Sequence, residues 1–427
     1  MTWLQRYRLR HFLRFSFWLV PVIWMQAAVI GLPTVRWLDA QTGWRLFGYG
    51  EEGARQILNG LSSSMLTFIV FAVSALLLVT QLASSALSPR IIASIFASRA
   101  SQTSIGVFVF AYVFALGAAA RVENGHVPQL VVFVALVSNL AAIIVFFWFV
   151  FRVGYSLRPV AILMSLSRRG RKVFDEVYPD AWSAEPRARE APLGPSRVIA
   201  RDRASGTFLA FGTAELVAAA RRADCVIELV PQVGDFVANG DPLFRVYPAD
   251  RDIDAAALSQ MVAFGAERTL EQDPAFAFRI MVDIAARALS PAVNDPTTAV
   301  LAIDQLHRDL LYLGRKQLSS GRAVDDRGAL RLVYPTPRWE DFVALATNEI
   351  RLFGANSIQV ARRLYAMLEH LASALPEPRR PLLREELAML QRAVERAFPD
   401  ERDRSRAHTG DLQGIGHSSP TSDRPQV

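Results

Sequence analysis

Hydrophobic positions dominate four stretches of the first 154 residues, at about residues 15–32, 61–83, 103–120 and 127–151. At 1.5 Å per helical residue each covers most or all of a hydrocarbon core about 30 Å thick, which predicts four transmembrane helices. A cleaved signal peptide is the rival reading of the first stretch. The run exceeds an ordinary h-region and further spans follow, so an uncleaved anchor is expected. Pro21 is placed to kink that span, and Trp18, Trp24 and Trp37 fall at or near its interfaces.

The period changes after residue 154. LRPVAILMSLSRRGRKVF mixes a short apolar stretch with a basic cluster, as expected of a segment lying on an anionic leaflet; a plain helix continuing away from the membrane is the alternative. Tyr178 to Pro195, rich in Pro, Ala and Arg, reads as a linker or exposed loop, giving a juxtamembrane and linker region over 155–196. Residues 197–248 carry short strand-like runs (RVIAR, GTFLAF, CVIELV, PLFRV) with one helix, TAELVAAARRA, among them. VPQVGDFVANGDPLFRV resembles the second half of a biotinyl or lipoyl-type barrel-sandwich hybrid, with Gly-Asp and Asn-Gly at tight turns. No lysine stands at its tip, so no carried cofactor is expected and the element reads as a structural or oligomerisation unit.

From 249 to 398 the pattern is helical, apart from a strand at LRLVY. Asp273-Pro274 and Asp295-Pro296 each set a capping carboxylate before a proline, the pair expected at an N-cap and first helical position. Phe276, Ile280, Ile284 and Ala288 then recur at helical spacing, as do Ile303, Leu306, Leu310 and Leu313, so two helices fold back as a hairpin around SPAVNDP. Residues 399–427 lack apolar periodicity and are expected to be disordered. The fold class is therefore a four-helix membrane region joined to an α+β cytoplasmic region with a small barrel-like β element and a helical bundle.

Composition agrees: 52% hydrophobic residues in 427 is too apolar for a purely soluble chain. The net charge of +7 raises nucleic acid as a partner, but arginines cluster beside the apolar runs, where membrane orientation explains them and no nucleic-acid role is expected. Arg6, Arg8, Arg10, Arg14, Arg90, Arg99, Arg152, Arg158, Arg168, Arg169, Arg171 and Lys172 flank one side. The opposite loops mix Arg36, Arg45, Arg55 and Arg121 with Asp39, Glu51, Glu52 and Glu123. By the positive-inside rule both ends of the chain are cytoplasmic in a bacterial inner membrane, facing anionic lipid.

GAERTLEQD, VDIAARALSPAVNDPTTAV and ATNEIRLFGANS resemble the signature of a bacterial predicted-membrane-protein family known as domain of unknown function 2254. The resemblance runs from the first span to about Leu375 and brings no activity or substrate with it. Its motif residues are Arg268, Gln272, Asp273, Asp283, Arg287, Ser290, Pro291, Asn294, Asp295, Pro296 and Thr297.

Chemistry is sparse. Asp283, Arg287, Asn294, Asp295 and Asp304 make the best case for an enzyme, yet Asp283 and Arg287 sit at pairing distance on one helix and Asp295 is needed as a cap. His11, His126, His307, His370, His408 and His417 show no metal-ligand spacing, and the lone Cys225 reads as a core residue. No catalytic, cofactor or metal residue is expected. The spans contain no ionised side chain, which argues against a proton-coupled carrier. Ser62, Ser63 and Ser64 are candidates to line a pore, against the commoner role of hydroxyls in helix packing. Three classes follow: a structural or regulatory homo-oligomer, a channel gated by its cytoplasmic domain, and an enzyme at the membrane surface.

Overall fold

The computed structural model describes residues 2–43, 48–86, 99–122, 127–156, 158–183, 194–411 and 415. Arg45, Arg90, Glu123, His126 and His417, most of the linker and the end of the tail, all used in the sequence reading, lie outside them. The chain divides into two compact units, Leu9–Ala161 and Met1–Arg8 with Ile162–Val427.

The first unit is built on α2 (Leu19–Thr42), α3 (Glu51–Ala86), α4 (Arg99–Ala119) and α5 (Gln129–Ser156). Among the described residues these four helices are long and apolar enough to cross a membrane. The first span starts at Leu19 rather than Phe15, because α1 (Trp3–Phe15) ends there and a new helix begins. Pro21 therefore falls in a first turn, where a missing N–H costs nothing, and it has no ladder to kink. Large apolar side chains such as Ile30, Leu78, Ile144, Phe147 and Phe151 face outward, the surface a hydrocarbon solvent demands.

Two glycines let α2 and α4 approach closely. A Cβ on Gly106 would fall 2.2 Å from Cδ1 of Trp24, and one on Gly117 would fall 2.9 Å from Cδ2 of Leu32. Between helices in lipid, where burial drives nothing, such contact is the main attraction available. Hydroxyls inside the unit turn back on their own helices: Ser62 donates to the Leu58 carbonyl at 2.8 Å and Thr80 to the Leu76 carbonyl at 2.7 Å. Asp39 is buried near the end of α2 and accepts the amide of Leu130 at 2.8 Å, so it caps the first turn of α5 from a neighbouring helix.

In the second unit, α1 contributes its first turns. Leu4 packs with Leu209, Ala210 and Ala263, its amide donates to the Gln260 carbonyl at 3.2 Å, and Arg6 pairs with Glu215 at 2.8 Å. Helix α6 (Pro159–Val177) buries Leu163, Leu166, Val173 and Phe174. Tyr178 is fully buried, Ala181 bridges to Lys316 and the Trp182 amide donates to the Arg315 carbonyl. The start of the expected linker is thus docked, because it has an aromatic anchor and a strand-like partner.

Eight strands form two sheets among the described residues. They are β1 (Arg197–Ala200), β2 (Gly206–Phe211), β3 (Val226–Leu229), β4 (Phe236–Val237), β5 (Pro242–Tyr247), β6 (Val262–Gly265), β7 (Arg322–Val324) and β8 (Leu330–Val333). One sheet runs β1-β5-β3-β8-β7 and the other β4-β2-β6. Helices α7 (Thr213–Arg222) and α8 (Ala255–Ser259) accompany them, and a core including Phe208, Leu216, Ile227, Phe244 and Leu332 lies between. Gly234 at φ +101° and Gly240 at φ +91° occupy the predicted tight turns, in backbone that side chains resist.

The sheets draw β6, β7 and β8 from beyond residue 248, where the sequence reading set a boundary. The reason is the parallel pairing of β3 with β8, which requires a long crossover; here the crossover contains helices. These are α9 (Pro274–Ala288) and α10 (Pro296–Gly314), followed after β8 by α11 (Trp339–Gly354), α12 (Ile358–Ala374), α13 (Arg380–Ala397) and α14 (Glu401–His408). Residues 401–408 belong to the stretch expected to be disordered. They are helical because buried Arg362 of α12 reaches over to the Arg406 carbonyl and to Asp411 at 2.6 Å, while His408 packs edge-on against Tyr365.

Candidate functional site

Family-like motif residues converge at the entry of α9. Asp273 is only 2% exposed, and its two oxygens divide the work: Oδ1 accepts the Phe276 amide at 3.0 Å as the N-cap, and Oδ2 accepts Nε and Nη2 of Arg268 at 2.9 and 2.6 Å. Burial pushes this carboxyl up, against the downward pull of Arg268 and the helix amides. Arg268 lies over the Phe276 ring and against the turn at Gly234, where a Cβ would come within 2.6 Å of the guanidinium. Gln272 accepts the Phe211 amide at 2.9 Å and donates back to its carbonyl at 3.2 Å, acting as a strand partner for the end of β2. Arg268, Gln272 and Asp273 thereby join both a sheet turn and a strand to α9.

The hairpin turn follows from its sequence. Ser290 donates its hydroxyl to the Arg287 carbonyl at 2.7 Å, and the amides of Val293 and Asn294 return to the Ser290 carbonyl. Asn294 takes φ +48°, a left-handed conformation that asparagine tolerates better than most side chains. Asp295 then caps α10: Oδ1 accepts the Thr298 amide at 3.0 Å and Oδ2 the Thr298 hydroxyl at 2.5 Å. Pro296 occupies the first helical turn. Pro291, Arg287 and Thr297 are exposed, and Asp283 is half-buried in mid-helix.

Asp304 leads to a cluster that sequence reading missed. Arg363 of α12 binds Asp304 at 2.5 Å and His307 Nδ1 at 2.8 Å, and His307 Nε2 lies 2.7 Å from His370 Nδ1. A guanidinium only donates, so Nδ1 of His307 is an acceptor and its ring proton sits on Nε2, facing His370. Burial, then the Arg363 charge, push His307 down to about 3 and keep it neutral. The two histidines are 63 positions apart, so no spacing rule links them; only the packing of α10 on α12 does. Among the described residues no group of three ligands suited to a metal is present.

On the other side of α10, Asp309 is fully buried and accepts from Ser167 at 2.7 Å and Arg171 at 2.9 Å, both on α6. Burial pushes its carboxyl up, opposed by those two donors. Phe174 of α6 packs on Phe278 with ring centroids 5.8 Å apart, and Gly170 admits Ala277. At these positions the apolar face of α6 meets α9. That face is taken up within the protein, while Arg168 and Lys172 stand exposed on the outer side of α6.

Ser62, Ser63 and Ser64 do not share a direction: Ser62 is buried, while Ser63 and Ser64 are exposed on α3. Cys225 is buried in the core, where burial pushes its thiol up.

Similar proteins are known by sequence. The family described as predicted membrane protein, DUF2254, matches residues 14–370. Uncharacterized proteins of Mycobacterium bovis and Mycobacterium tuberculosis are 28% identical over 379 residues, covering 84% of this chain and 72% of theirs. No solved structure matches.

Proposed function

The chain belongs to the DUF2254 family of predicted membrane proteins, and on that premise we propose a homo-oligomer of the bacterial inner membrane whose cytoplasmic part has a structural or regulatory role. The observation that carries assembly is the state of the sheet edges. Val198 on β1, Val324 on β7 and Phe236 on β4 are all exposed on edge strands, Phe236 to 70%. Apolar residues on open edges invite pairing with another chain. Because both sheets share one core, we read them as a small barrel-like module serving that contact.

Sidedness is supported by connectivity. Residues before the first span pack with residues after the last, so the crossings between them are even in number, in keeping with four spans. The arginine surplus on that side argues for the cytoplasm, and Arg168 and Lys172 on α6 are the surface we assign to anionic lipid. Alkaline phosphatase fused after Tyr247 is expected to be inactive; an active periplasmic fusion would reverse the orientation.

A channel gated by the barrel-like module is the second reading, favoured by Ser63 and Ser64, which face outward from α3 and would meet a neighbouring subunit. Both readings need the oligomer. Protein extracted in mild detergent is expected to run at a multiple of 47.4 kDa and to shift to smaller species on Phe236→Lys with Val324→Lys. A strictly monomeric wild type would remove both.

A further inference from the structure

Arg201, at the start of the turn leaving β1, is only 8% exposed. Its Nε and Nη2 donate to the Ala204 carbonyl, and the guanidinium lies 3.5 Å from the centroid of the Phe264 ring. Among the described residues no carboxylate stands within ion-pair distance of it. The other buried arginine, Arg362, has Asp411 at 2.6 Å. A buried cation without a counter-charge is costly, and proteins generally pair or hydrate one.

The surroundings of Arg201 do not neutralise it. It borders a cavity of about 330 Å³ that Arg8, Arg203, Asp202, Ser205 and Ser259 also line. Three arginines against one aspartate leave a surplus of two positive charges around this space, which matches a phosphoester carrying up to two negative ones. The loop is held in place without a ligand: the Arg201 amide donates to the Asp241 carbonyl, the Gly240 amide to the Arg201 carbonyl, and the Asn239 amide to Ser205 Oγ at 3.0 Å, leaving that hydroxyl's proton to donate. Leu4, Leu243 and Val262 line the remainder, so the cavity offers apolar wall as well as charge.

We propose that this cavity binds a phosphate-bearing anion, clamped by Arg8 and Arg203 beside the buried guanidinium of Arg201, with its ester substituent against Leu4 and Val262. The proposal does not depend on the oligomer or on which face of the membrane the unit occupies. The ligand comes either from a lipid headgroup or from a soluble phosphoester.

The test uses the full chain in nanodiscs of phosphatidylcholine, titrated calorimetrically with glycerol 3-phosphate, and then in nanodiscs containing phosphatidylglycerol. Wild type is expected to bind glycerol 3-phosphate saturably in phosphatidylcholine, and Arg8→Gln with Arg203→Gln to weaken binding about tenfold or more, since each charge-assisted contact is among the stronger hydrogen bonds. Both side chains are exposed, so an unchanged melting temperature accompanies the loss. Binding that disappears in phosphatidylglycerol nanodiscs identifies the headgroup as occupant; binding that persists there identifies a soluble ligand. Absence of saturable binding in phosphatidylcholine, or equal binding by the double variant, overturns the site.

Discussion

Asp273→Ala is expected to lower the melting temperature of the purified protein by about 6 °C or more, corresponding to about 3 kcal/mol in a unit of this size. Two losses combine. The Phe276 amide loses its cap, and Arg268, held between the Phe276 ring and the Gly234 turn, loses its carboxylate. Removing one member of a buried pair costs about 3 to 5 kcal/mol, and the lower end applies because the Arg268 side chain keeps 31% of its exposure. Asp273→Asn keeps a capping oxygen and should recover part of the fall. Asp295→Ala should cost only about 1 kcal/mol, since Asp295 caps in the same way but among the described residues holds no cation, and Asp295→Asn should restore most of that. Equal effects of the two alanine variants would show that the Arg268 pair contributes nothing. An Asp295→Asn protein that folds and assembles normally yet loses its cellular role would instead reveal a charged functional site.

Gly106→Val should damage the membrane unit by a different route. The new Cβ would sit 2.2 Å from Cδ1, 2.8 Å from Cγ and 2.9 Å from Nε1 of Trp24, so the indole must leave or α2 and α4 must separate. Overpacking of this kind costs about 1 to 3 kcal/mol where neighbours can adjust. Here the obstructing group is a rigid ring that also packs edge-on against Phe110 at 5.9 Å. The expected readout is a lower melting temperature and poor recovery of monodisperse protein in detergent. Trp24→Leu in the same chain should restore much of both, because it clears the space the valine needs. A Gly106→Val protein with wild-type recovery and melting temperature would show that this helix contact is not tight.

The features legible in the sequence are those fixed by neighbours in the chain. Four spans follow from length and apolarity, and the starts of α9 and α10 from Asp-Pro pairs whose capping acts within three residues. What was hidden depends on partners far along the chain. Gly106 and Gly117 look like ordinary apolar filler until Trp24 and Leu32 are set beside them. His307 and His370 meet only because α10 packs on α12, and β3 gains its parallel neighbour from a strand about a hundred residues later. The apolar face of α6 showed that it needed a cover, but amphipathicity cannot distinguish a lipid surface from α9. Within the motif, Asp273 and Asp295 were readable as caps, whereas the pairing of Arg268 with Asp273 across a sheet turn was not.

The attachment of α1 has a consequence for biosynthesis. This helix is translated before the four spans described above, yet its partners Glu215, Leu209 and Gln260 are translated after all of them. At roughly 5 to 20 residues per second, α1 must wait on the order of 10 to 50 s while four spans enter the bilayer. During that interval Leu4 has no strand to cover it and Arg6 has no glutamate. A ribosome that stalls after those spans but before Gln260 leaves α1 without its full set of partners although the four spans have been made, so nascent-chain length, rather than the local sequence of α1, decides when this helix matures.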